Sequence, residues 1–150
     1  MKIRLAVGKE SMDEVQLFLS EHGIELDDDS EFILIQKSKY VSRLPVKNSK
    51  SGEKIYLSTK DIIYLESFGH NVFLHAINGD YVTSEPLYQL ELMINPERFV
   101  RVSASVIVSH VHIKQITAML SQKYALHLSN GAIVDVTRSY YHDFKERFGL

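Results

Sequence analysis

Residues 61–83 read DIIYLESFGHNVFLHAINGDYVT, and this stretch decides the fold. Ile62 to Glu66 and Val72 to Ile77 are short runs of β-branched and aromatic residues, which suit a pleated, half-buried surface. Asn78-Gly79 is the strongest hairpin signal in the chain, because a type I′ turn needs positive φ at both central residues. Tyr81 to Thr83 supplies its returning strand. Upstream, Ile55 to Leu57 is another short strand. Downstream, Ser84-Glu85-Pro86 opens a helix, with Pro86 suited to its first turn, and Leu87, Leu90, Glu91 and Ile94 follow at helical spacing until Asn95-Pro96 ends it. Phe99 to Val108 is extended again. A polar Ser109-His110 break then precedes a strand near Ile113 to Leu120. Tyr124 to Leu128, the Ser129-Asn130-Gly131 turn and Ile133 to Val136 make a second hairpin. Thr137 or Ser139 caps a final helix whose Tyr140, Tyr141, Phe144 and Phe148 are spaced as a core face, not as a platform for bases. The expected class is mainly β (α+β), with antiparallel strands dominant.

The N-terminal segment reads differently. Lys2 to Val7 alternates polar and apolar residues as a strand does. Ser11-Met12-Asp13-Glu14 is a capping-box sequence, Val15, Phe18 and Leu19 share a helical face, and Gly23 stops the helix. Asp27-Asp28-Asp29 is an acidic turn; consecutive aspartates do not converge on one ion, so an exposed loop is expected. Phe32 to Gln36 is apolar enough for a buried strand. Residues 38–54, with the adjoining Lys37, are polar and basic (Lys39, Arg43, Lys47, Lys50, Lys54), contain Pro45 and Gly52, and read as a linker. The expected division is a β-α-β appendage and linker at 1–50, then a domain at 51–150.

Composition narrows the function. The chain has 150 residues, no cysteine and a formal charge of −2. Disulfides, thiolate-bound zinc and thiol catalysis are excluded, and a reducing cytoplasm is the expected compartment. No apolar run approaches the ~20 residues that span a bilayer, and Met1-Lys2-Ile3-Arg4 does not begin a signal peptide. Residues 1–31 carry three basic and nine acidic side chains, whereas 98–150 carry seven basic and three acidic. Phosphate attraction is screened within about 10 Å, so a basic C-terminal part can bind nucleic acid despite an acidic start. His110 and His112 invite a metal, but no carboxylate stands at ligand-motif spacing, and none is expected. No nucleophile-elbow, phosphate-loop or zinc-protease motif is present, so no enzyme and no cofactor are expected.

Three blocks carry a family resemblance. Asp61-Ile62-Ile63-Tyr64-Leu65-Glu66-Ser67 is followed by Leu87-Tyr88-Gln89-Leu90-Glu91 ahead of Phe99-Val100-Arg101-Val102-Ser103-Ala104-Ser105-Val106-Ile107-Val108. Ile133-Val134-Asp135-Val136-Thr137-Arg138-Ser139-Tyr140 completes the set. In order and spacing over about 95 residues, they resemble the LytTR family of bacterial DNA-binding domains. The resemblance implies a three-sheet β fold with short helices that reads duplex DNA through loops entering major and minor grooves. It also implies a transcription regulator, here of the free-standing kind without a phosphoacceptor receiver domain.

The same resemblance implies site residues. Arg138 aligns with the family's base-reading arginine, whose donor fork suits guanine O6 and N7. His70 or Asn71 supplies a base contact from the loop after Gly69. Ser105 and Ser109 are candidate phosphate donors, Ser103 of the same block is a candidate DNA-binding residue, Arg101 is a structural or phosphate-positioning residue, and Lys145, with Lys114 and Arg147, supplements the backbone contacts. Ala104 stands where the family's usual basic residue is missing, and Ser109 replaces its usual asparagine. Family analogy further suggests a homodimer on a direct-repeat site. The alternative is a protein-interaction module on the same fold, controlled by a membrane-bound inhibitor that docks on the acidic segment 1–31.

Overall fold

A computed structural model describes residues 1–36 and 40–150. Lys37 and Lys39, part of the expected linker, lie outside them. The chain divides into two compact units, Met1–Tyr40 and Val41–Leu150. Among the described residues no helix is long and apolar enough to cross a membrane.

The first unit is the expected β-α-β. Strand β1 (Lys2–Ala6) lies between β2 (Glu25–Leu26) and β3 (Ile33–Ile35), all parallel, with helix α1 (Lys9–Glu21) as the crossover. Two readings are corrected. The helix begins before Ser11, with Gly8 at its N-cap; the Gln36 amide accepts from the Gly8 N–H at 2.9 Å and donates to Ser11 Oγ at 3.3 Å, so no capping box forms. Strand β3 is not buried: Ile33, Leu34 and Ile35 are all exposed, and only Ile3 and Leu19 are buried among the unit's described residues. The three aspartates form a loop, in which Asp27 accepts the Asp29 amide.

The second unit is mostly β. Its seven-stranded sheet runs in the order β5, β4, β8, β7, β6, β10, β9, from β4 (Arg43–Asn48), β5 (Lys54–Ser58), β6 (Ile62–Phe68), β7 (Asn71–Ala76), β8 (Gly79–Thr83), β9 (Phe99–Arg101) and β10 (Val106–Ser109). A three-stranded sheet follows from β11 (Ile113–Met119), β12 (Lys123–Leu128) and β13 (Ile133–Val136). Helices α2 (Leu87–Met93) and α3 (Tyr141–Arg147) complete it. The expected linker contains β4, because Leu44 and Val46 alternate inward and are buried. Pro45 is tolerated there since the ladder to β8 begins only at Lys47, leaving its missing N–H on an open edge. Phe99 to Val108 is two strands, not one: β9 and β10 pair antiparallel around a tip at Ser103–Ser105.

Two cores result. One gathers Leu44, Leu57, Leu65 and Leu74 beneath Leu87 and Leu90 of α2. The other gathers Ile63, Tyr64, Val102 and Val108 with Leu126, Val136 and Phe144 of α3. Strand β6 feeds both, and a register irregularity between Ile62 and Tyr64 lets neighbouring residues face different cores. Tyr141 stacks on Tyr124 and Phe148 on Phe144, so the aromatic stripe of α3 is core, as its spacing indicated. No side chain caps this helix; a 3-10 turn at Arg138–Tyr140 leads into it.

The turns hold two surprises. The β7–β8 loop is Ile77-Asn78, with positive φ only at Gly79, so Asn78-Gly79 is not a type I′ pair. Between β11 and β12, by contrast, Ser121 (φ 65°) and Gln122 (φ 58°) are both left-handed. An L side chain there costs roughly 1 kcal/mol. Gln122→Gly should therefore raise the melting midpoint, stabilising by about 1 kcal/mol, and a lower midpoint would contradict this.

His110 and His112 lie in a 3-10 turn (His110–His112) and diverge. The His110 ring sits 5.1 Å from Phe148, while His112 Nδ1 contacts Ser129 Oγ at 2.7 Å. Burial, aided by the Arg147 guanidinium, lowers the His110 pKa to about 4, and burial with Lys114 lowers that of His112. Unfolded imidazoles protonate near pH 6.5, so below that pH the unfolded chain takes up protons the folded chain refuses. Stability is complete above about pH 6.5 and falls as pH drops toward 4. Melts at about pH 7 and pH 5 should show the lower midpoint at pH 5. His110→Phe should reduce the difference.

Candidate nucleic-acid interface

Three polar tips project from one end of the second unit. The first is the β6–β7 turn at Gly69-His70, two residues long with positive φ only at Gly69 (62°), the pattern of a type II′ hairpin. His70 and Asn71 are exposed there. Phe68, 73 % exposed, stands beside them and was not anticipated; its only sequence signal is the F-G-H-N run itself.

The second tip, Ser103–Ser105, is braced from within. Arg101 Nε donates to the Ser103 carbonyl at 2.7 Å and Nη2 to the Ala104 carbonyl at 2.5 Å, while Nη1 meets Glu91 of α2 at 3.0 Å. Ser103 is buried, and its Oγ accepts the Ser105 amide at 3.2 Å. Ala104 and Ser105 are exposed. Three of the candidates are placed by these contacts and by burial. Arg101 spends its donor fork on the tip's own carbonyls and on Glu91, which is the structural one of its two expected roles. Ser103 is part of the brace, and Ser109 is buried where β10 pairs with Phe99 of β9.

The third tip is the turn Arg138–Tyr140. Arg138 is exposed; its carbonyl accepts the Tyr141 N–H, and among the described residues no hydrogen bond or ion pair engages its guanidinium. Arg147 has the opposite character: its guanidinium donates to the carbonyls of Pro96 and Phe99, so it ties α3 to the start of β9. Lys145 is exposed with Nζ 5.8 Å from the Tyr141 ring centroid, a cation–π spacing, and Lys114 is exposed on β11.

Two backbone hydrogen bonds set the tips side by side. The Ser67 N–H donates to the Ser105 carbonyl at 2.8 Å, joining the first tip to the second. The Thr137 N–H donates to the Val102 carbonyl at 3.0 Å, joining the third to the second. His70, Asn71, Ser105 and Arg138 are thus brought to one end by main-chain geometry, while Arg101 and Ser103 brace the middle tip from beneath and Ser109 lies at the opposite end of β10. Among the described residues no side-chain hydrogen bond engages His70, Asn71 or the Arg138 guanidinium, and the Ser105 hydroxyl meets Ser103 Oγ at 3.4 Å; exposed donors held on short turns are suited to hydrogen-bonding an external polar ligand.

Residues 52–149 match the family profile described as the LytTr DNA-binding domain. The chain is 34 % identical over 99 residues to the transcriptional regulatory protein LytR of Staphylococcus aureus (strain N315), covering 65 % of this chain and 40 % of that protein. It is 30 % identical over 96 residues to the sensory transduction protein LytT of Bacillus subtilis (strain 168), covering 63 % and 40 %. The chain thus spans about 40 % of the length of these curated relatives. A solved LytTr DNA-binding domain from Bacillus cereus superposes with a TM-score of 0.68 at 24 % identity, over 73 % of this chain and 99 % of that one, and shares the fold.

The two arginines should separate by stability. Arg101→Ala leaves two carbonyls and Glu91 unpaired and should cost about 2–3 kcal/mol, with faster amide exchange at Ser103–Ser105. Arg138→Ala should shift stability by no more than about 0.5 kcal/mol. Equal losses would mean that Arg138 is structural.

Proposed function

The chain belongs to the LytTr DNA-binding domain family, and on that premise we propose that it is a sequence-specific transcription regulator that grips duplex DNA with the three joined tips. The family is one of DNA-binding domains and not of enzymes. The observation that carries the proposal is the pair of main-chain bonds, Ser67 to Ser105 and Thr137 to Val102, which hold uncommitted side chains together at one end. Arg138 presents its donor fork to guanine O6 and N7 in a major groove. His70 or Asn71 reads a second base from the first tip, and the exposed Phe68 beside them offers an apolar contact such as a thymine methyl takes. Ser105 and Lys145 bind phosphate oxygens, which fix register without reading sequence. The middle tip faces the groove between the two outer ones, and Ala104 there contributes no charge. The protein acts in the cytoplasm, as a homodimer on a direct-repeat site.

A second reading has one observation in its favour. The first unit exposes Phe18, Leu34 and Ile35 and contains the acidic segment 1–31, which supports control by a docked protein such as a membrane-bound inhibitor.

The test is a gel shift on the region upstream of the gene that encodes the chain. Wild type should retard that duplex in preference to a scrambled one. Arg138→Ala should lose about 1–3 kcal/mol of discrimination, or roughly 5- to 150-fold in relative affinity. Identical behaviour of the two proteins would remove Arg138 from the base contacts. No specific retardation by wild type would favour the interaction module.

A further inference from the structure

The β4–β5 hairpin is rich in positive charge. Residues 41–60 hold Arg43, Lys47, Lys50, Lys54 and Lys60 against Glu53 alone, within a protein of net charge −2. Arg43, Pro45 and Lys47 alternate along β4 with the buried Leu44 and Val46, so they share the sheet's outer face. Across the ladder Lys47 pairs with Lys54, and Pro45 with Tyr56, which is 74 % exposed. Like charges placed directly opposite each other destabilise a sheet. Among the described residues no carboxylate forms an ion pair with Arg43, Lys47 or Lys54. The two lysines line an open groove of about 480 Å³ with Pro45, Tyr56 and Val82, and Asn71 lines it too. Asn71 also belongs to the first tip, so the groove is continuous with the proposed reading end.

We propose that this groove is a second anionic-ligand site that takes the sugar–phosphate backbone of the same duplex, beyond the segment read by the tips. The proposal rests on the DNA-binding reading above. Lys47 and Lys54 neutralise adjacent phosphates, which removes their mutual repulsion, and Tyr56 packs its ring against a deoxyribose. The occupant is a phosphate chain because the groove offers paired cations and one exposed aromatic, with Asn71 as a polar group in its lining. Continuity with the reading end makes that chain the bound duplex. These contacts also replace the positive charge absent at Ala104.

The test is the salt dependence of DNA affinity for the full chain, with the upstream duplex and a scrambled duplex as probes. Each phosphate contact contributes about 0.9 to the slope of log K against log salt. Lys47→Gln/Lys54→Gln should make both slopes shallower by about 1.8. Between 50 and 200 mM salt it should therefore lose about 12-fold less affinity than wild type does. The preference for the upstream duplex should persist, and the melting midpoint should be no lower, because the like-charge pair is gone. Lys47→Arg/Lys54→Arg should keep the wild-type slope. An unchanged slope in the glutamine variant, with wild type still binding specifically, overturns the groove alone. A shallower slope with a lowered midpoint in both variants assigns the lysines a structural role and overturns it as well. If wild type prefers neither duplex, the DNA-binding reading fails first. Slopes that change only for RNA or anionic-lipid probes would reject the duplex as the occupant.

Discussion

Burial of β6 on both faces is the constraint on which the second unit depends. Ile62 and Leu65 enter one core and Ile63 and Tyr64 the other. Its neighbour β10 divides Ile107 and Val108 the same way. A strand held between two cores cannot slide by one residue without exposing an entire apolar set, so its register is fixed. Fixing β6 fixes where its turn ends, and the pairing of Glu66 with Val106 brings the β9–β10 tip alongside. The second core then seats Val136 and Phe144, which deliver Thr137 to Val102 and Arg138 to the same end. The placement of the tips follows from packing far beneath them.

Polar chemistry divides between support and contact. Arg101 and Arg138 are the same residue type with opposite employment. One satisfies carbonyls that a tight tip leaves without partners, and the guanidinium of the other has no hydrogen-bond or ion-pair partner among the described residues. Ser103 and Ser105, two positions apart, divide similarly: the first accepts an amide from within and is buried, the second is exposed. A site whose supporting donors are spent internally presents a rigid surface, and rigidity limits the ordering entropy lost on binding. The lysine pair on β4 and β5 is a different case, because two like charges stand opposite each other with no ion-paired carboxylate among the described residues.

Much of this architecture was legible in the chain, and the failures have physical causes. Strands β5 to β8 and β11 to β13 followed from β-branched runs, since their apolar faces point to a core. Strand β4 was missed because Pro45 and a run of lysines look like a linker, although Leu44 and Val46 carry the alternation of a half-buried strand. The tip at Ser103–Ser105 was hidden in a run that looks extended throughout. Its turn is made by Ser103 and Arg101, with no Gly or Pro to announce it. At Ser121-Gln122 the turn uses left-handed backbone without Gly or Asn, and at Asn78-Gly79 the strongest signal was displaced by one residue. Of the candidate site, family resemblance indicated Arg138 and the His70–Asn71 turn. It did not separate the exposed tip residues from the bracing Arg101 and Ser103 or from the buried Ser109, because that depends on burial, which one sequence does not display.

The most direct measurement is a titration of the isotope-labelled full chain with the upstream duplex, following backbone amide shifts by NMR. The account predicts saturating changes concentrated at Phe68–Asn71, Ala104–Ser105 and Thr137–Ser139, all with one affinity. Changes confined to residues 1–36, or clustered at the β11–β12 turn around Ser121 with those three tips silent, would contradict it.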